Sequence, residues 1–299
     1  MARQSRFYLA RVLKRGELTK EKIVEAMREP VTIEFRGTRY SFTDFRAFGA
    51  QGQEKGFYAR LAKYRQQGAV GVVREDEHAS AEAEVRNLID ASSAFVYLPD
   101  YSGLAYRHIW NALPREQFER VFKELVEYKF LLAGCDIDPV TDLRTFVMRL
   151  SKLDRITELQ AAVSPPNPLF APCWKSLSDY LRKRRLTEIQ IKEQADSGID
   201  TRVKEIAEAV LRAEITSSRV LEMMEPLLDG VGDAALLMAA DGYGRARVRG
   251  REGDQEVVIR TSENQKSFLL DTDPEPEVLF ERAFAVFQQI SEERGLEHP

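Results

Sequence analysis

The chain has 299 residues, of which 43% are hydrophobic and 9% aromatic, and a formal net charge of −4 at pH 7. This length allows one large or two medium domains, and the composition excludes wholesale disorder. Cys135 and Cys173 lie in unrelated contexts, which argues against a disulfide framework or a zinc site and favours the cytoplasm. No apolar run approaches the roughly 20 residues of a membrane span, so we expect no direct membrane insertion.

Charge is unevenly distributed along the chain. Residues 1–65 contain 15 Lys and Arg and 7 Asp and Glu, a net charge of +8, whereas residues 66–299 carry −12. Such asymmetry indicates a basic surface that meets an anion such as nucleic acid. The alternatives are a charged surface that meets only water, or one that docks on an acidic part of the same chain.

Hydrophobic periodicity and turn residues divide the first half into short strands and helices. The best-defined part is a hairpin of Ala94–Leu98 and Leu104–Ile109 around Pro99–Gly103, followed by a helix that begins near Pro114. One face of that helix is apolar and carries Phe118, Val121, Phe122, Leu125 and Val126. The other expected elements are a strand at Phe7–Val12, a helix at Leu18–Met27 with Thr19 as N-cap, strands at Val31–Phe35, Thr38–Phe42, Phe57–Tyr64 and Ala69–Val73, and a helix at Ala79–Ile89.

The second half is also predicted to mix helices and strands. The expected elements are helices at Leu143–Leu150, Trp174–Arg184, Val203–Leu211 and Val220–Leu228, strands at Arg155–Val163 and Leu186–Glu193, a β-meander of GYGRARVRG, QEVVIRT and KSFLLDT, and a C-terminal helix at Glu275–Ile290. The fold class is therefore α+β. We predict an N-terminal domain, residues 1–133, that is mostly an antiparallel sheet closed by a helix, and a second α+β domain, residues 134–299.

Two segments, FYLARVLKR and FYARLAKYR, share an aromatic pair followed closely by arginine. Cations beside aromatic rings suit phosphate contacts and base stacking. The candidate nucleic-acid-binding residues of this region are Arg6, Arg11, Lys14, Arg60 and Lys63. Core strands whose long cationic side chains reach out to solvent would show the same pattern, and this alternative is slightly favoured.

A second group of candidates follows one strand of the predicted meander. Strand alternation places Arg245, Arg247 and Arg249 on one face, about 7 Å apart from one to the next. That spacing resembles the distance between successive phosphates of a nucleic-acid strand. Arg260 on the paired strand extends the set. An edge strand protected by charge would have the same pattern and is the somewhat stronger interpretation.

Common catalytic motifs are missing from the sequence. GxxxxGK[ST], GxSxG, HExxH and GxGxxG do not occur, and Gly242 and Gly244 form only a Gly-x-Gly. Asp136, Asp138 and Asp142 could bind a divalent cation, but capping of the helix that follows is the favoured role. We therefore predict no catalytic residue, no metal site and no cofactor.

Two weaker patterns remain. Gln190 and Lys192 match the Q-x-K half of a restriction-like nuclease motif, which also needs an acidic residue on the preceding strand, where Glu158 is the candidate. His108 could act as a general base. Because no acidic or nucleophilic partner can be assigned to it, we expect His108 and the neighbouring Trp110 to belong to the framework of the first domain.

The segments FYLAR, TIEFRGTRYSF and SAFVYLPDYSGLAYRH, with the helix PREQFERVF, resemble in plan the DNA-binding A subunit of the phage Rex exclusion system. Their outline is also similar to the DNA-binding component of the Kiwa antiphage system. The resemblance covers about residues 1–130, and no catalytic residue is carried over. It implies a cytoplasmic bacterial or prophage-encoded protein that binds nucleic acid and works with a partner, which could be a membrane protein, in phage defence.

Three hypotheses follow from the sequence. The first is a non-enzymatic nucleic-acid-binding protein of a phage-defence or exclusion system, with DNA favoured over RNA and with a homo-oligomeric state. The second is a metal-dependent nuclease. The third is a protein-interaction subunit of a larger defence complex. The negative net charge confines any nucleic-acid binding to basic patches.

Overall fold

The computed structural model describes residues 4–76, 78–165, 175–203, 205 and 230–293, with the backbone alone described at residues 175, 176 and 293. Within these residues there are twelve strands and six α-helices. The strands are β1 (Gln4–Gly16), β2 (Ile33–Phe35), β3 (Thr38–Ala50), β4 (Gln53–Arg74), β5 (Ala79–Leu98), β6 (Gly103–Arg107), β7 (Ala133–Pro139), β8 (Arg155–Val163), β9 (Ile189–Gln194), β10 (Gly244–Glu252), β11 (Gln255–Arg260) and β12 (Ser267–Asp271). The helices are α1 (Lys20–Arg28), α2 (Arg115–Lys129), α3 (Leu143–Ser151), α4 (Lys175–Lys183), α5 (Val231–Met238) and α6 (Pro276–Glu293).

Eight strands form an antiparallel sheet, here called the large sheet, in the order β12-β1-β6-β5-β4-β3-β2 with β7 also paired to β1. β1 joins three other strands and has neighbours on both sides from residue 7 to residue 11. Residues 4–8 pair with β12, residues 10–16 pair with β7, and residues 7–11 pair with β6 on the other side. Surrounded in this way, the middle of β1 is buried.

Both faces of the large sheet are covered. On one face lie α1 and α2, and there Phe95 packs against Phe118 and Phe122 with ring centroids 5.8 and 5.5 Å apart. On the opposite face lies α6, where Tyr101 and Phe287 stack with centroids 5.9 Å apart. This second core is continuous with that of a smaller sheet. The large sheet is therefore the middle layer of the molecule.

The small sheet has four strands in the order β11-β10-β8-β9. One of its faces is apolar and packs on α5, through residues that include Leu159, Val163 and Val248. Two glycines allow β10 to begin against β8. Gly242 adopts a φ of +85°, and a Cβ on Gly244 would lie 2.1 Å from the carbonyl oxygen of Ala162. The Gly-x-Gly pair thus has a packing role.

Several sequence predictions are confirmed. The class is α+β and the chain has a C-terminal helix. Thr19 caps α1 by accepting a hydrogen bond from the backbone N–H of Lys22, 3.3 Å away. Asp142 caps α3 in the same way through Thr145. The hairpin of β5 and β6 lies where it was expected. The apolar residues predicted for α2 are its buried residues: Phe118, Val121, Phe122, Leu125 and Val126.

The prediction of a helix at Ala79–Ile89 is wrong, because this segment is the first part of β5. Alanine and glutamate favour helices, but small apolar residues alternate here with Glu82 and Glu84. Period-two alternation fits a strand. The neighbouring β4 pairs with this segment from residue 67 to residue 74, and that pairing overrides the intrinsic propensity.

The expected three-stranded meander also differs from the structure. β10 and β11 form a hairpin as expected, but β12 leaves the small sheet and pairs with β1. β7 and β12, both on the C-terminal side of the predicted boundary at residue 133, belong to the large sheet. The predicted helix at Val220–Leu228, most of that at Val203–Leu211, and Cys173 and Trp174 lie outside the described residues. None of the described helices combines the length and the apolar character needed to cross a membrane.

Candidate nucleic-acid interface

The outward side of the small sheet is polar and carries two lines of cations. Along β10, Arg245, Arg247 and Arg249 alternate with buried Ala246 and Val248, which leaves the three arginines on one side about 7 Å apart. Across the strands, Arg260, Arg247, Gln160 and Lys192 stand in register on β11, β10, β8 and β9. We call this surface the arginine face and define it by Arg245, Arg247, Arg249, Arg260 and Lys192.

The two lines cross at Arg247. Neighbouring strands lie about 4.8 Å apart, so the cross-strand row from Arg260 to Lys192 spans about 14 Å. The face can therefore contact a polyanion in two directions. The predicted grouping of four arginines is found in the structure, because β10 and β11 place them on one surface: Arg245, Arg247, Arg249 and Arg260. Their role in binding stays a prediction.

Each arginine of this face has a carboxylate partner. Arg245 Nε lies 2.7 Å from Asp138 Oδ1, Arg247 Nη2 2.9 Å from Glu158 Oε1, Arg249 Nη1 3.2 Å from Glu256 Oε1, and Arg260 Nη1 3.0 Å from Glu263 Oε1. The four arginine side chains are nevertheless 39–65% exposed. Ion pairs at the surface are weak, so a phosphate can compete most readily for Arg249 and Arg260, whose partners Glu256 and Glu263 are 59% and 32% exposed.

The partners of Arg245 and Arg247 differ from the other two because they are buried. Asp138 and Glu158 are 5% and 7% exposed. Burial raises the pKa of Asp138, and the charge and hydrogen bond of Arg245 counteract this rise. Burial lowers the pKa of Arg245, but Asp138 outweighs it and the net change is a rise. Arg245 and Arg247 therefore also have a structural task, whereas Arg249 and Arg260 pair with carboxylates that lie at the surface.

A cleft of about 250 Å³ lies at the edge of the arginine face. Arg15 bridges it, 2.5 Å from Asp136 and 3.0 Å from Glu188. The cleft is also lined by Asp138 and Arg245. Among the described residues, no three His, Cys, Asp or Glu side chains are grouped so that they could hold a metal ion. The alternating charges of this cleft connect β1, β7, β10 and the residue that precedes β9.

The nuclease pattern is partly assembled. Lys192 Nζ lies 4.0 Å from Glu158 Oε2, and Gln190 lies one pair further along the same side of β9. Glu158, however, is buried and accepts a hydrogen bond from Arg247. In the described part of the chain it is not joined by the further acidic ligands that a metal site requires.

The five N-terminal candidates contact groups of the framework. Arg11 is fully buried, donates to the carbonyl oxygens of Asp241 and Tyr101, and lies over the rings of Tyr243 and Phe287. Burial lowers the pKa of Arg11. Because both faces of the large sheet are covered, Arg11 is removed from the candidate interface.

The other four N-terminal candidates are held by short contacts as well. Lys14 Nζ donates to Ser102 Oγ at 2.8 Å, and Lys63 Nζ to the carbonyl oxygen of Ala112 at 2.9 Å. Arg6 donates a hydrogen bond to Ser267 Oγ. Arg60 pairs with Asp273 and donates a hydrogen bond to the hydroxyl of Tyr58. Lys14 is partly buried, and burial lowers its pKa. These residues tie β1 and β4 to their neighbours.

Tyr8, His108 and Trp110 form an aromatic stack. The rings of Tyr8 and His108 stack with centroids 4.7 Å apart, and the rings of His108 and Trp110 follow at 6.0 Å. Trp110 is 80% exposed. An exposed indole ring is a platform on which a base can stack. The sequence signal was present in RHIW, but Trp110 was assigned to the framework.

The charge of Arg115 acts on His108, and its side chain contacts the turn after β11. Burial and the charge of Arg115 lower the pKa of His108, which keeps the imidazole neutral near pH 7. Arg115 Nη1 also donates to the carbonyl oxygen of Ser262 at 3.5 Å. The turn that contains Ser262 follows β11 and supplies Glu263, the partner of Arg260. Arg115 thus acts on His108 through its charge and contacts the turn that holds the partner of Arg260.

A family model described as Domain of unknown function (DUF4747) matches residues 17–216. The chain belongs to the DUF4747 family. Comparison with curated proteins returns no match. The part matched by the DUF4747 family contains Trp110, Glu158 and Lys192, whereas Arg245 to Arg260 follow it in the sequence. The family description states no activity, so the function has to be argued from the surface itself.

Proposed function

We propose that this chain binds nucleic acid, with DNA as the ligand, on the arginine face and the aromatic stack, and that it does so without catalysing a reaction. The observation that carries the proposal is the crossing of two lines of cations at Arg247 on an exposed sheet surface. The arginines along β10 match the phosphate spacing of one strand. The row across the sheet supplies further cations, Arg260 and Lys192, on either side of that bound strand.

Trp110 gives this proposal a preference for single strands. A base of a single strand can stack on an exposed indole ring, which contributes about 1–3 kcal/mol. Bases of a duplex are already stacked on each other and do not gain this contact. The arginines can bind single-stranded or duplex DNA, because they contact the phosphates that both ligands have. We therefore expect single-stranded DNA to bind more tightly than duplex DNA.

The first test measures binding of labelled single-stranded and duplex DNA by fluorescence anisotropy across a salt series. The double variant Arg249→Gln/Arg260→Gln removes two cations whose partners are surface carboxylates, so the fold should be preserved. Each phosphate contact contributes about −0.7 to the log–log salt slope for a single strand and about −0.9 for a duplex. The variant should therefore lower the magnitude of the slope by about 1.4 or 1.8, respectively.

The matched control is Arg36→Gln/Arg74→Gln, which removes two exposed arginines from the β2–β3 turn and the end of β4. Its slope should equal that of the wild type. The proposal is wrong if the wild type binds no DNA at low salt, or if the control lowers the slope as much as Arg249→Gln/Arg260→Gln.

A second test concerns the aromatic stack. Trp110→Ala should weaken single-strand binding by about 5-fold to 150-fold, the equivalent of one lost stacking contact, and should change duplex binding far less. Tyr128→Ala removes another exposed aromatic ring, on α2, and serves as the control. Equal losses in both variants would exclude the stack from the interface.

Metal-dependent cleavage is the second candidate function, favoured by the contact between Lys192 and Glu158. The same labelled DNA incubated with Mg²⁺ or Mn²⁺ distinguishes the two. Cleavage that is lost in Lys192→Ala would replace the binding proposal by nuclease activity. Intact DNA in a stable complex supports binding alone.

The resemblance described above supplies a cellular setting for the proposal: a cytoplasmic component of phage defence that acts with a partner. Cells that carry the gene should plate phage less efficiently than cells that carry the Arg249→Gln/Arg260→Gln variant. Equal plating of both strains, with normal DNA binding by the purified wild type, would reject the defence role and leave the binding proposal standing.

A further inference from the structure

The hairpin of β4 and β5 extends far beyond the rest of the large sheet. From residue 65 to residue 90, here called the arm, the described parts of the two strands pair with each other and with no other described strand, since the last partner of β4 in β3 pairs with Tyr64. Eight consecutive pairs, Gln67 with Arg86 through Arg74 with Ala79, form this ribbon. At about 3.3 Å per residue, the arm projects about 25 Å.

The arm has one apolar and one acidic side. Strand alternation and the register place six small apolar residues on one side, namely Gly68, Val70, Val72, Ala81, Ala83 and Val85, with Arg74 and Ala79 at the outer end of that side. The other side carries Glu82 and Glu84 together with Val73, with Arg86 at its inner end. Within the described structure the apolar side is open to solvent, with Val72 and Val85 38% and 36% exposed.

An isolated two-stranded ribbon is marginally stable in water. Such a ribbon becomes stable when its apolar side packs against another layer. The arm therefore needs a partner, and the chemistry of its two sides restricts what that partner is. A basic protein would be attracted to Glu82 and Glu84 and would leave the apolar side uncovered, whereas nucleic acid would be repelled by both glutamates.

The pattern of side-chain sizes on the apolar side identifies the partner. Each cross-strand pair combines a larger residue with a smaller one: Val72 faces Ala81, Val70 faces Ala83, and Val85 faces Gly68. When a second identical ribbon is turned over and stacked on the first, valines of one ribbon can lie over alanines of the other. Two sheets that interdigitate in this way pack about 10 Å apart.

We infer that the arm is a dimerisation element in which the apolar sides of two arms, from two copies of this chain, pack face to face. The contact is isologous, because the same residues serve both copies. The glutamates of both arms point outward into water, on opposite sides of the pair. Residues 65–90 carry three arginines and six acidic residues, so the arm stays apart from the DNA that we propose for the arginine face.

The test uses the full-length chain and measures its mass by sedimentation equilibrium over a dilution series. Val72→Lys places a charge on the apolar side, and Val73→Lys makes the same change one residue later on the acidic side, where Val73 is 75% exposed. Placing an ammonium group in a dry apolar contact should raise the dimer dissociation constant by at least about tenfold for Val72→Lys. Val73→Lys should leave the constant unchanged.

Val85→Lys is a second variant on the apolar side and should behave as Val72→Lys does. Circular dichroism shows whether each variant keeps the wild-type fold. A dimeric wild type, weakened by both apolar-side variants and not by Val73→Lys, supports the inference. A monomeric wild type overturns it, and so does a dimer that responds equally to Val72→Lys and Val73→Lys or to neither. The outcome is independent of DNA binding, so the two proposals can fail separately.

Discussion

If DNA binds to the arginine face as proposed, replacing Glu256 by glutamine should strengthen that binding. Glu256 Oε1 lies 3.2 Å from Nη1 of Arg249, and the two side chains are 59% and 39% exposed. The carboxylate therefore competes with a phosphate for the same guanidinium group. Glutamine keeps the size of the side chain but removes its charge, so Arg249 no longer has to give up an ion pair when DNA binds.

The size of this gain follows from the strength of the ion pair. An exposed pair of this kind contributes about 0.2–1 kcal/mol. If the wild type loses that energy on binding and the variant does not, the dissociation constant falls by about 1.4-fold to 5-fold, since about 1.4 kcal/mol corresponds to a factor of ten. The free protein should lose a similar small amount of its free energy of unfolding.

The assay is the anisotropy titration at low salt, where electrostatic differences are largest. Glu281→Gln is the control because it removes one negative charge from the exposed side of α6, away from the small sheet. A change in overall charge alone would affect both variants alike. If Glu256→Gln binds no more tightly than the wild type, or Glu281→Gln gains as much, Arg249 does not contact phosphate.

Three further predictions concern the fold. Phe122→Ala should lower the free energy of unfolding by about 3–5 kcal/mol in a urea titration, because it opens a cavity in the core under α2, while Tyr128→Ala on the exposed side of α2 should change it by less than about 0.5 kcal/mol. Gly244→Ala should also destabilise the chain, since its Cβ would lie 2.1 Å from the carbonyl oxygen of Ala162; an unchanged urea midpoint would show that β10 can shift. Burial lowers the pKa of His108 from its usual 6.5, so the unfolded chain binds more protons and the free energy of unfolding should fall as pH decreases through 6.5 towards the folded-state pKa. His108→Gln should show a smaller fall between about pH 7 and pH 5.

The elements that the sequence predicted well are those in which periodicity and burial agree. The apolar stripe of α2 has a helical period and is buried without exception, and the hairpin at Pro99 is set by its turn residues. The prediction for the first part of β5 failed because alanine and glutamate favour a helix locally. Pairing with the 22-residue strand β4 makes this segment a strand instead. Such pairing between residues distant from the turn is not encoded in a short window.

The position of β12 and the cross-strand row also depend on pairing between distant residues rather than on local periodicity. Consecutive strands usually pair, which favoured a meander, but β12 completes the side of β1 that β7 leaves open. The row that joins Arg247 to Lys192 depends on the register of β8 with both β9 and β10. Alternation within β10 could predict a line of arginines, whereas the second line required β8 to pair with β9, 25 residues further along the chain, and with β10, 80 residues further along.

Arg11 and Arg247 show why a strand pattern alone could not separate framework from interface. Each alternates with apolar neighbours on a strand that has partners on both sides. The layer opposite the side chain makes the difference. Arg11 points into the space between the large sheet and α6, where aromatic rings and carbonyl oxygens surround it. Arg247 points away from α5 and stays 41% exposed. An arginine on a sheet is therefore a candidate for binding only when the side of the sheet that carries it has no covering layer.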